Sequence, residues 1–415
     1  MNLTQENKIK IVDDIMGSGK SRWAINYINS HPEKKFLCVV PFLPECERYK
    51  KETIIEMFDP KLWGTKKKSF INLIEKNDNI VTTHALIQKM DLTILELLRS
   101  RDYTLIIDEC LEVLAPYKIS NDDRKIIFRE HLVSLDNDGF LIWNEEKNNY
   151  KGAFKEIKEL CSFKSLMGFK NEDDNIAKIL MWNFPVDFFK CFKDSYILTY
   201  LWNGSIQKSY FDIHSIQYEK YMLDKDGKEI IPHSRELELR KRKDRVKLLH
   251  IYEGKFNDIG NKVGKSNPLS KSWYERQIKA KNFSLLEQIK KNTENYFRTV
   301  TKSRSADNMY TVFKPFRKYI KGRLYSNCHV ACNAKATNNY SQKKYLAYLI
   351  NEFISPDIKH FVNHYQIEFD EDLFALSALL QWIWRSQIRN GEPIELYLPS
   401  ERMRNLLLNW INEVR

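Results

Sequence analysis

The stretch from Ile9 to Ser21, IKIVDDIMGSGKS, decides how the rest of this 415-residue sequence is interpreted. Its first half, with Ile9, Ile11 and Val12 apolar, suits a short buried strand. A turn with two glycines follows, and from Ser21 onward apolar residues recur at helical spacing. The order of strand, glycine-containing turn, Gly-Lys-Ser and helix is the context of a phosphate-binding loop.

The chemistry of such a loop assigns a role to each residue of its second half. Backbone N–H groups of the turn and of the helix N-terminus point at nucleotide phosphates. Lys20 would reach the β- and γ-phosphates, and the Ser21 hydroxyl would hold Mg²⁺. The predicted nucleotide-binding residues are Gly17, Ser18, Gly19, Lys20 and Ser21. Because Asp14 occupies the position of the first glycine of the pattern, a flexible turn that merely contains a lysine stays an alternative.

A second segment, YTLIIDEC from Tyr103 to Cys110, is an apolar run that ends in two carboxylates. A phosphate-loop ATPase needs a carboxylate at a strand end to help hold Mg²⁺, and a neighbouring base to position the attacking water. Asp108 and Glu109 suit these two roles as metal ligand and catalytic base. A strand that ends in a charged turn is the ordinary alternative. The presence of both features, in this order, favours an ATPase that uses ATP and Mg²⁺.

Length and composition exclude several classes of protein. A chain of 415 residues allows about two or three domains. No apolar run reaches the roughly 18 residues of a membrane span, and the polar start MNLTQENKIK has no signal-peptide core. Seven scattered cysteines argue against a disulfide framework. We therefore expect a cytoplasmic protein with no membrane association.

The net charge of +12 arises from one segment. From Pro232 to Arg323 there are 24 Lys and Arg but 9 Asp and Glu, whereas the rest of the chain is slightly acidic. Aromatic residues are interspersed through this segment, so we expect it to be folded and not a tail. Its positive excess is the electrostatic footprint expected for a polyanion partner, with a solvated basic surface as the alternative.

The pair GSGKS and IIDEC resembles superfamily 2 helicases of the DEAD/DEAH-like group. In that group the first glycine of the loop is often another residue, which accommodates Asp14. Further blocks follow the family's order. They are 36–41 (strand before motif Ia), 81–85 (segment before the Asp-Glu strand), 197–200 (motif III), 330–338 (motif V) and 381–389 (motif VI).

The resemblance implies further site residues. In QWIWRSQIR, Gln381 and Arg385 match the family's motif VI, Trp384 replaces its glycine, and the second arginine comes one residue late, at Arg389. Arg385 or Arg389 would act as the arginine finger in phosphoryl transfer, and Gln381 would contact the nucleotide. A plain amphipathic helix is the alternative. The implied nucleic-acid-binding residues are Thr82, Thr83, His84, Asn333, Thr337 and Asn338, although His84 equally suits a local hydrogen-bonding role.

The resemblance also implies an α/β fold with two tandem RecA-like domains, each a parallel sheet flanked by helices, and ATP between them. We expect the first domain over 1–205, a linker or hairpin over 206–240, and the second domain over 241–415. Polar, turn-rich pieces separate helix-like runs at about 113–178. These indicate a helical insertion in the first domain.

Together these features favour an ATP-dependent nucleic-acid helicase or translocase, most similar to phage-encoded members of the superfamily and expected in the host cytoplasm. DNA is favoured over RNA, DNA replication is one possible process, and protein partners stay open. One alternative is a phosphate-loop ATPase that does not unwind, either a DNA-packaging motor or an ATP-gated nucleic-acid-binding switch. A basic binding protein with a degenerate ATP site is disfavoured by the intact Gly-Lys-Ser and Asp-Glu.

Overall fold

The computed structural model describes residues 8–61, 65–170, 177–332 and 338–414. The chain forms two compact units that interleave along the sequence. The first contains the residues up to Val12, Ser21–Tyr221 and Ser355–Phe369. The second contains Asp13–Lys20, Met222–Ile354 and the chain from Asp370 onward.

Strands and helices alternate along most of the described chain. The strands are β1 (Ile9–Asp13), β2 (Lys35–Val40), β3 (Ile80–Thr83), β4 (Tyr103–Asp108), β5 (Leu114–Pro116), β6 (Val133–Leu135), β7 (Leu141–Trp143), β8 (Leu166–Lys170), β9 (Ala177–Asn183), β10 (Asp194–Thr199), β11 (Tyr218–Leu223), β12 (Ile230–Pro232), β13 (Leu249–Ile251), β14 (Asn308–Thr311), β15 (Tyr345–Tyr348) and β16 (Ile394–Tyr397). The helices are α1 (Lys20–Ser30), α2 (Leu43–Glu52), α3 (Lys66–Glu75), α4 (His84–Ile87), α5 (Leu92–Arg99), α6 (Asn121–Arg129), α7 (Lys155–Ser162), α8 (Ile206–Ile213), α9 (Arg235–Val246), α10 (Lys271–Lys279), α11 (Ser284–Asn295), α12 (Arg317–Ile320), α13 (Pro356–His364), α14 (Glu371–Ile383) and α15 (Glu401–Asn412).

The largest sheet has the strand order β12-β11-β1-β10-β4-β2-β3. Strand β4 is parallel to β10 and β2, and β1 is parallel to β11. Every residue of β4 is buried, as expected for a parallel sheet covered on both faces. Since the carboxyl ends of parallel strands share one edge, the ends of β2, β4 and β10 lie together there, and ligands of such sheets bind at this edge.

The segment predicted as a helical insertion contains helices α6 and α7, and it also contains strands. Strands β5, β9 and β8 form an antiparallel sheet, and β6 and β7 form an antiparallel hairpin. These elements enclose their own apolar core, which includes Ile127, Leu141, Ile157 and Leu180. Strands β5, β6 and β7 are three residues long, too short to produce a readable alternation of apolar and polar residues.

Helix α13 belongs to the first unit although its neighbours in sequence belong to the second. Its end packs on the inserted segment. The His364 ring stacks on Phe169 with centroids 4.3 Å apart, and the Tyr365 hydroxyl donates to the Asp138 carbonyl at 3.1 Å. Burial in this contact raises the pKa of Tyr365 to about 12.

The second unit is built on a parallel sheet of order β13-β16-β15-β14. One side of this sheet packs on an aromatic core in which buried tyrosines reach carbonyl acceptors. The Tyr274 hydroxyl donates to Leu349 O at 2.9 Å, and Tyr397 donates to Phe256 O at 2.6 Å. Burial raises the pKa of both phenols well above the usual value. The predicted α/β class with parallel sheets is confirmed.

Helix α9 precedes this sheet and contains the basic run 240–245. Ser234 caps its N-terminus by accepting the Leu237 N–H at 3.3 Å. Acidic residues occupy its first turn and basic residues its last, which complements the helix dipole. Helix α9 ends at Val246, and β13 begins three residues later, at Leu249. No helix in the described part of the chain is long and apolar enough to cross a membrane.

Candidate active site

The loop after β1 contains two glycines with positive φ angles. Gly17 has φ +74° and Gly19 has φ +97°, values that residues with a side chain adopt only with strain. The Ser18 N–H donates to Ile15 O at 3.3 Å and closes the turn. Helix α1 then starts at Lys20, so the free N–H groups of its first turn lie at the end of the loop.

The Lys20 ammonium lies over the start of its own loop. It donates to the backbone carbonyls of Asp14 and Ile15, the second at 2.9 Å. These contacts fold the side chain back along the loop. A lysine ammonium donates hydrogen bonds to phosphate oxygens as well as to backbone carbonyls.

The hydroxyl of Ser21 and the carboxylate of Asp108 meet within the first unit. Ser21 Oγ donates to Asp108 Oδ2 at 2.6 Å, although the two residues are 87 positions apart. Asp108 is the last residue of β4 and is 8% exposed. Hydroxyl and carboxylate oxygens are ligands that Mg²⁺ prefers, so this donor pair fits the magnesium site predicted from sequence.

Glu109 follows Asp108 in a strained backbone conformation. Its φ is +63°, in the left-handed region. The Glu109 N–H donates to Leu198 O on the neighbouring strand at 2.9 Å, which holds the conformation in place. Next to it, Cys110 Sγ and Thr199 Oγ1 are 3.3 Å apart, so the predicted motif III residue contacts the Asp-Glu strand. Such strain is maintained where the surrounding structure determines it, and it is concentrated at functional sites.

The predicted nucleic-acid residues at the end of β3 are largely buried. Thr82 is 2% exposed and His84 is 5% exposed, while Thr83 is half-buried. His84 Nε2 lies 2.8 Å from the Asp108 carbonyl oxygen. This contact gives His84 the local hydrogen-bonding role that the sequence left as an alternative, and it ties helix α4 to the Asp-Glu strand.

Asp14, which stands where the usual loop has glycine, is a buried anchor in the second unit. Its Oδ2 accepts from the Lys241 ammonium at 2.6 Å and from the Leu223 N–H at 3.2 Å. Its Oδ1 accepts from the Ile15 N–H at 2.8 Å. Asp14 is fully buried, so these donors replace its hydration. Sequence reasoning missed this pair, because nothing in the basic run singles out Lys241.

The motif VI residues lie at the end of α14. Gln381 Nε2 donates to Ser377 Oγ one turn earlier, at 3.4 Å. Arg385 is 5% exposed, whereas Arg389 is exposed on the 3₁₀ turn Gln387–Asn390. The two candidate arginines therefore have opposite environments.

The predicted motif V residues fall in or next to the segment 333–337, which the structure does not describe. Asn333 and Thr337 lie outside the described residues. Asn338 begins the 3₁₀ turn Asn338–Tyr340, and its side chain is also outside the described part.

A basic cavity of about 480 Å³ lies on the second unit around α12. It is lined by Lys314, Pro315, Arg317, Lys318, Lys321, Ser326 and Asn327. Its four cations stand at positions 314, 317, 318 and 321, which is the spacing of one helical face. This spacing is the sequence signal that could have identified them. Among the described residues none of the four forms an ion pair with a carboxylate, so their charge is not neutralised locally.

The parallel sheets define the class of fold: this protein has an α/β fold of the tandem RecA-like type. A solved structure titled "XPD_APO" has the same fold, with a TM-score of 0.51, 13% sequence identity, and coverage of 98% of this chain and 96% of that one. The structure of Xpd4 from S. tokodaii aligns with a TM-score of 0.49 and 11% identity over 97% of this chain and 94% of that one.

Within this class the chain belongs to the YonV family. It is 38% identical over 423 residues to a protein of Bacillus subtilis (strain 168) described as "SPbeta prophage-derived uncharacterized protein YonV". The alignment covers 98% of this chain and 100% of that protein. Residues 243–411 match the family model of the YonV C-terminal Rossmann-like domain, and residues 114–182 match that of the YonV middle domain.

Proposed function

We propose that this protein hydrolyses ATP with Mg²⁺ in order to move along or unwind nucleic acid, with DNA favoured over RNA. The hydrogen bond between Ser21 and Asp108 carries the proposal, since it joins the hydroxyl and the carboxylate that a phosphate-loop ATPase uses for its metal. Two glycines with positive φ and then Lys20 directly precede that hydroxyl in the chain.

Each residue has a defined task in the proposed reaction. Lys20 leaves the carbonyls of Asp14 and Ile15 and binds phosphate oxygens, with the N–H groups at the start of α1. Ser21 and Asp108 would hold Mg²⁺, and the metal would supply positive charge that neutralises the phosphates. Glu109 orients the attacking water, and its backbone bond to Leu198 O keeps its carboxylate at the strand end.

Arg385 is the better candidate for the arginine finger. It is buried beside Trp384, whose indole nitrogen lies near Gly17 of the phosphate loop. Arg389 is exposed on a turn whose backbone is tied elsewhere, since the Gln387 N–H donates to Lys343 O at 3.0 Å. A finger acts in a site from which water is excluded, where its charge is strongest.

The basic cavity around α12 supports a nucleic-acid track. Four exposed cations without carboxylate partners among the described residues form a surface that phosphates would neutralise. The YonV relative is described as prophage-derived, which supports a phage-encoded role for this protein as well.

The steady-state ATPase rate of the full chain, alone and with single-stranded DNA, duplex DNA or RNA, tests the proposal. We expect turnover that requires Mg²⁺ and is stimulated most by DNA. Lys20→Ala should abolish turnover while far-ultraviolet circular dichroism and melting temperature stay unchanged. Lys51→Ala, a charge-matched change at an exposed lysine on α2, is the control that should keep turnover.

Two outcomes would overturn the proposal in different ways. Normal turnover in Lys20→Ala would remove the phosphate loop from the reaction. Turnover that none of the three polymers changes would remove the nucleic-acid track and favour an ATP-gated switch.

A further inference from the structure

Trp384 and Arg245 flank the phosphate loop within the second unit. A Cβ built on Gly17 would lie 3.7 Å from Trp384 Nε1 and 4.0 Å from a guanidinium nitrogen of Arg245. Both distances are ordinary contact distances, so the two side chains reach the loop where it has no side chain of its own. Gly17, Trp384 and Arg245 all belong to this unit.

The indole of Trp384 is fixed in place but its N–H has no acceptor among the described residues. The side chain is 6% exposed and packs edge-to-face on Trp410, with centroids 6.2 Å apart at 82°. Its backbone N–H donates to Leu380 O at 2.9 Å, which is the last helical hydrogen bond of α14. A buried indole N–H normally finds an acceptor, and this one is aimed at a loop built to hold an anion.

Arg245 supplies a second donor from the last turn of α9. Its side chain is half-buried, and in the described part of the chain no hydrogen bond or ion pair engages it. The neighbouring cation of this helix that points to the loop, Lys241, is occupied by Asp14. Arg245 is therefore available for an added anion, and guanidinium groups bind phosphate with two parallel hydrogen bonds.

We propose that the Trp384 indole N–H and the Arg245 guanidinium bind the polyphosphate chain of the nucleotide held by the loop 13–20. This inference rests on the proposed ATPase function and adds two phosphate-contacting residues to it. In the superfamily pattern the position of Trp384 is a glycine, which offers no side-chain donor. The tryptophan thus gives this chain a neutral hydrogen bond to phosphate next to Arg385, and Arg245 adds a charged one.

Nucleotide affinity of the full chain tests the inference, measured by isothermal titration calorimetry with Mg²⁺ and a non-hydrolysable ATP analogue. Trp384→Phe keeps the ring against Trp410 and removes the N–H. Arg245→Gln removes the charge, and Lys243→Gln makes the same change at an exposed position of the same helix. We expect Trp384→Phe and Arg245→Gln each to weaken binding roughly tenfold, and Lys243→Gln to change it by less than about twofold.

The results separate this inference from the proposed function. If Lys20→Ala loses binding while Trp384→Phe and Arg245→Gln bind as the wild type does, the inference fails and the ATP site stands. If Lys20→Ala binds the analogue normally, the proposed function fails first. Equal weakening by Lys243→Gln and Arg245→Gln would also overturn the role of Arg245, because general positive charge would explain both. If Trp384→Phe lowers the melting temperature, Arg245→Gln still tests the inference, because Arg245 is only half-buried.

Discussion

Asp14→Ala tests directly why this phosphate loop carries an aspartate in place of its first glycine. The carboxylate accepts from three donors: the Lys241 ammonium at 2.6 Å, the Leu223 N–H at 3.2 Å and the Ile15 N–H at 2.8 Å. Asp14 is fully buried, so water cannot replace these bonds without rearrangement of the loop. We expect the substitution to destabilise the second unit.

The size of the effect follows from the surroundings of Lys241. Removal of one partner from a buried ion pair costs about 3–5 kcal/mol, because the remaining charge is left uncompensated. Lys241 keeps one acceptor, Leu223 O at 2.7 Å, and its side chain is 15% exposed. The loss should therefore lie at the lower end, at about 3 kcal/mol. Asp14→Asn keeps the shape and one acceptor and should cost about 1–2 kcal/mol.

Urea unfolding followed by tryptophan fluorescence measures this loss, since Trp384 and Trp410 report on the same unit. With a denaturant slope of ~2 kcal/mol per M, the midpoint of Asp14→Ala should fall by roughly 1.5 M. Lys241→Met should cost a similar amount. The double variant should be more stable than the sum predicts, by about 2 kcal/mol, because each single change already removes the shared interaction.

Asp14→Gly sharpens the comparison, because it restores the residue that the phosphate-loop pattern usually has. We expect it to destabilise at least as much as Asp14→Ala, since it removes the same acceptor and adds backbone freedom. Losses that simply add in the double variant, or an Asp14→Ala midpoint equal to that of the wild type, would refute the anchoring role of the aspartate.

Three further predictions concern catalysis, nucleic acid and pH. Glu109→Gln should bind ATP and Mg²⁺ but hydrolyse at least about a hundredfold more slowly, as measured in single turnover; normal hydrolysis would exclude Glu109 as the base. In salt titrations of DNA binding, the double variant Lys314→Ala and Lys321→Ala should reduce the magnitude of the slope of log affinity against log salt by about two. Lys291 is an exposed lysine of α11, and Lys291→Ala should leave the slope unchanged. Burial lowers the pKa of His214 to about 4, so the folded state holds this ring neutral while the unfolded chain protonates it near 6.5. The free energy of unfolding should thus be highest above pH 6.5 and should fall by about 2 kcal/mol between pH 7 and 5. His214→Gln should remove this loss. If the variant keeps the pH dependence of the wild type, the role of His214 is refuted.

The fold class was predictable because its signals are local. A parallel strand buried on both faces is a continuous apolar run, and YTLIID and KFLCVV are such runs. The loop after β1 is equally local, since its positive φ angles are adopted by two glycines two positions apart, Gly17 and Gly19. The strands of the inserted segment left no comparable signal, because β5, β6 and β7 are three residues long and β5 pairs with the distant strand β9.

The sequence by itself determined the α/β class, the glycine-containing loop after β1 and the two carboxylates at a strand end, because each depends on backbone preferences and burial within a few consecutive residues. Only the tertiary structure decided which side chains meet. Ser21 and Asp108 are 87 positions apart, and Asp14 and Lys241 are 227 apart. The approach of Trp384 and Arg245 to Gly17 is of the same kind. Such contacts arise from the packing of whole sheets and helices, and no periodicity or local motif encodes the pairing of distant residues.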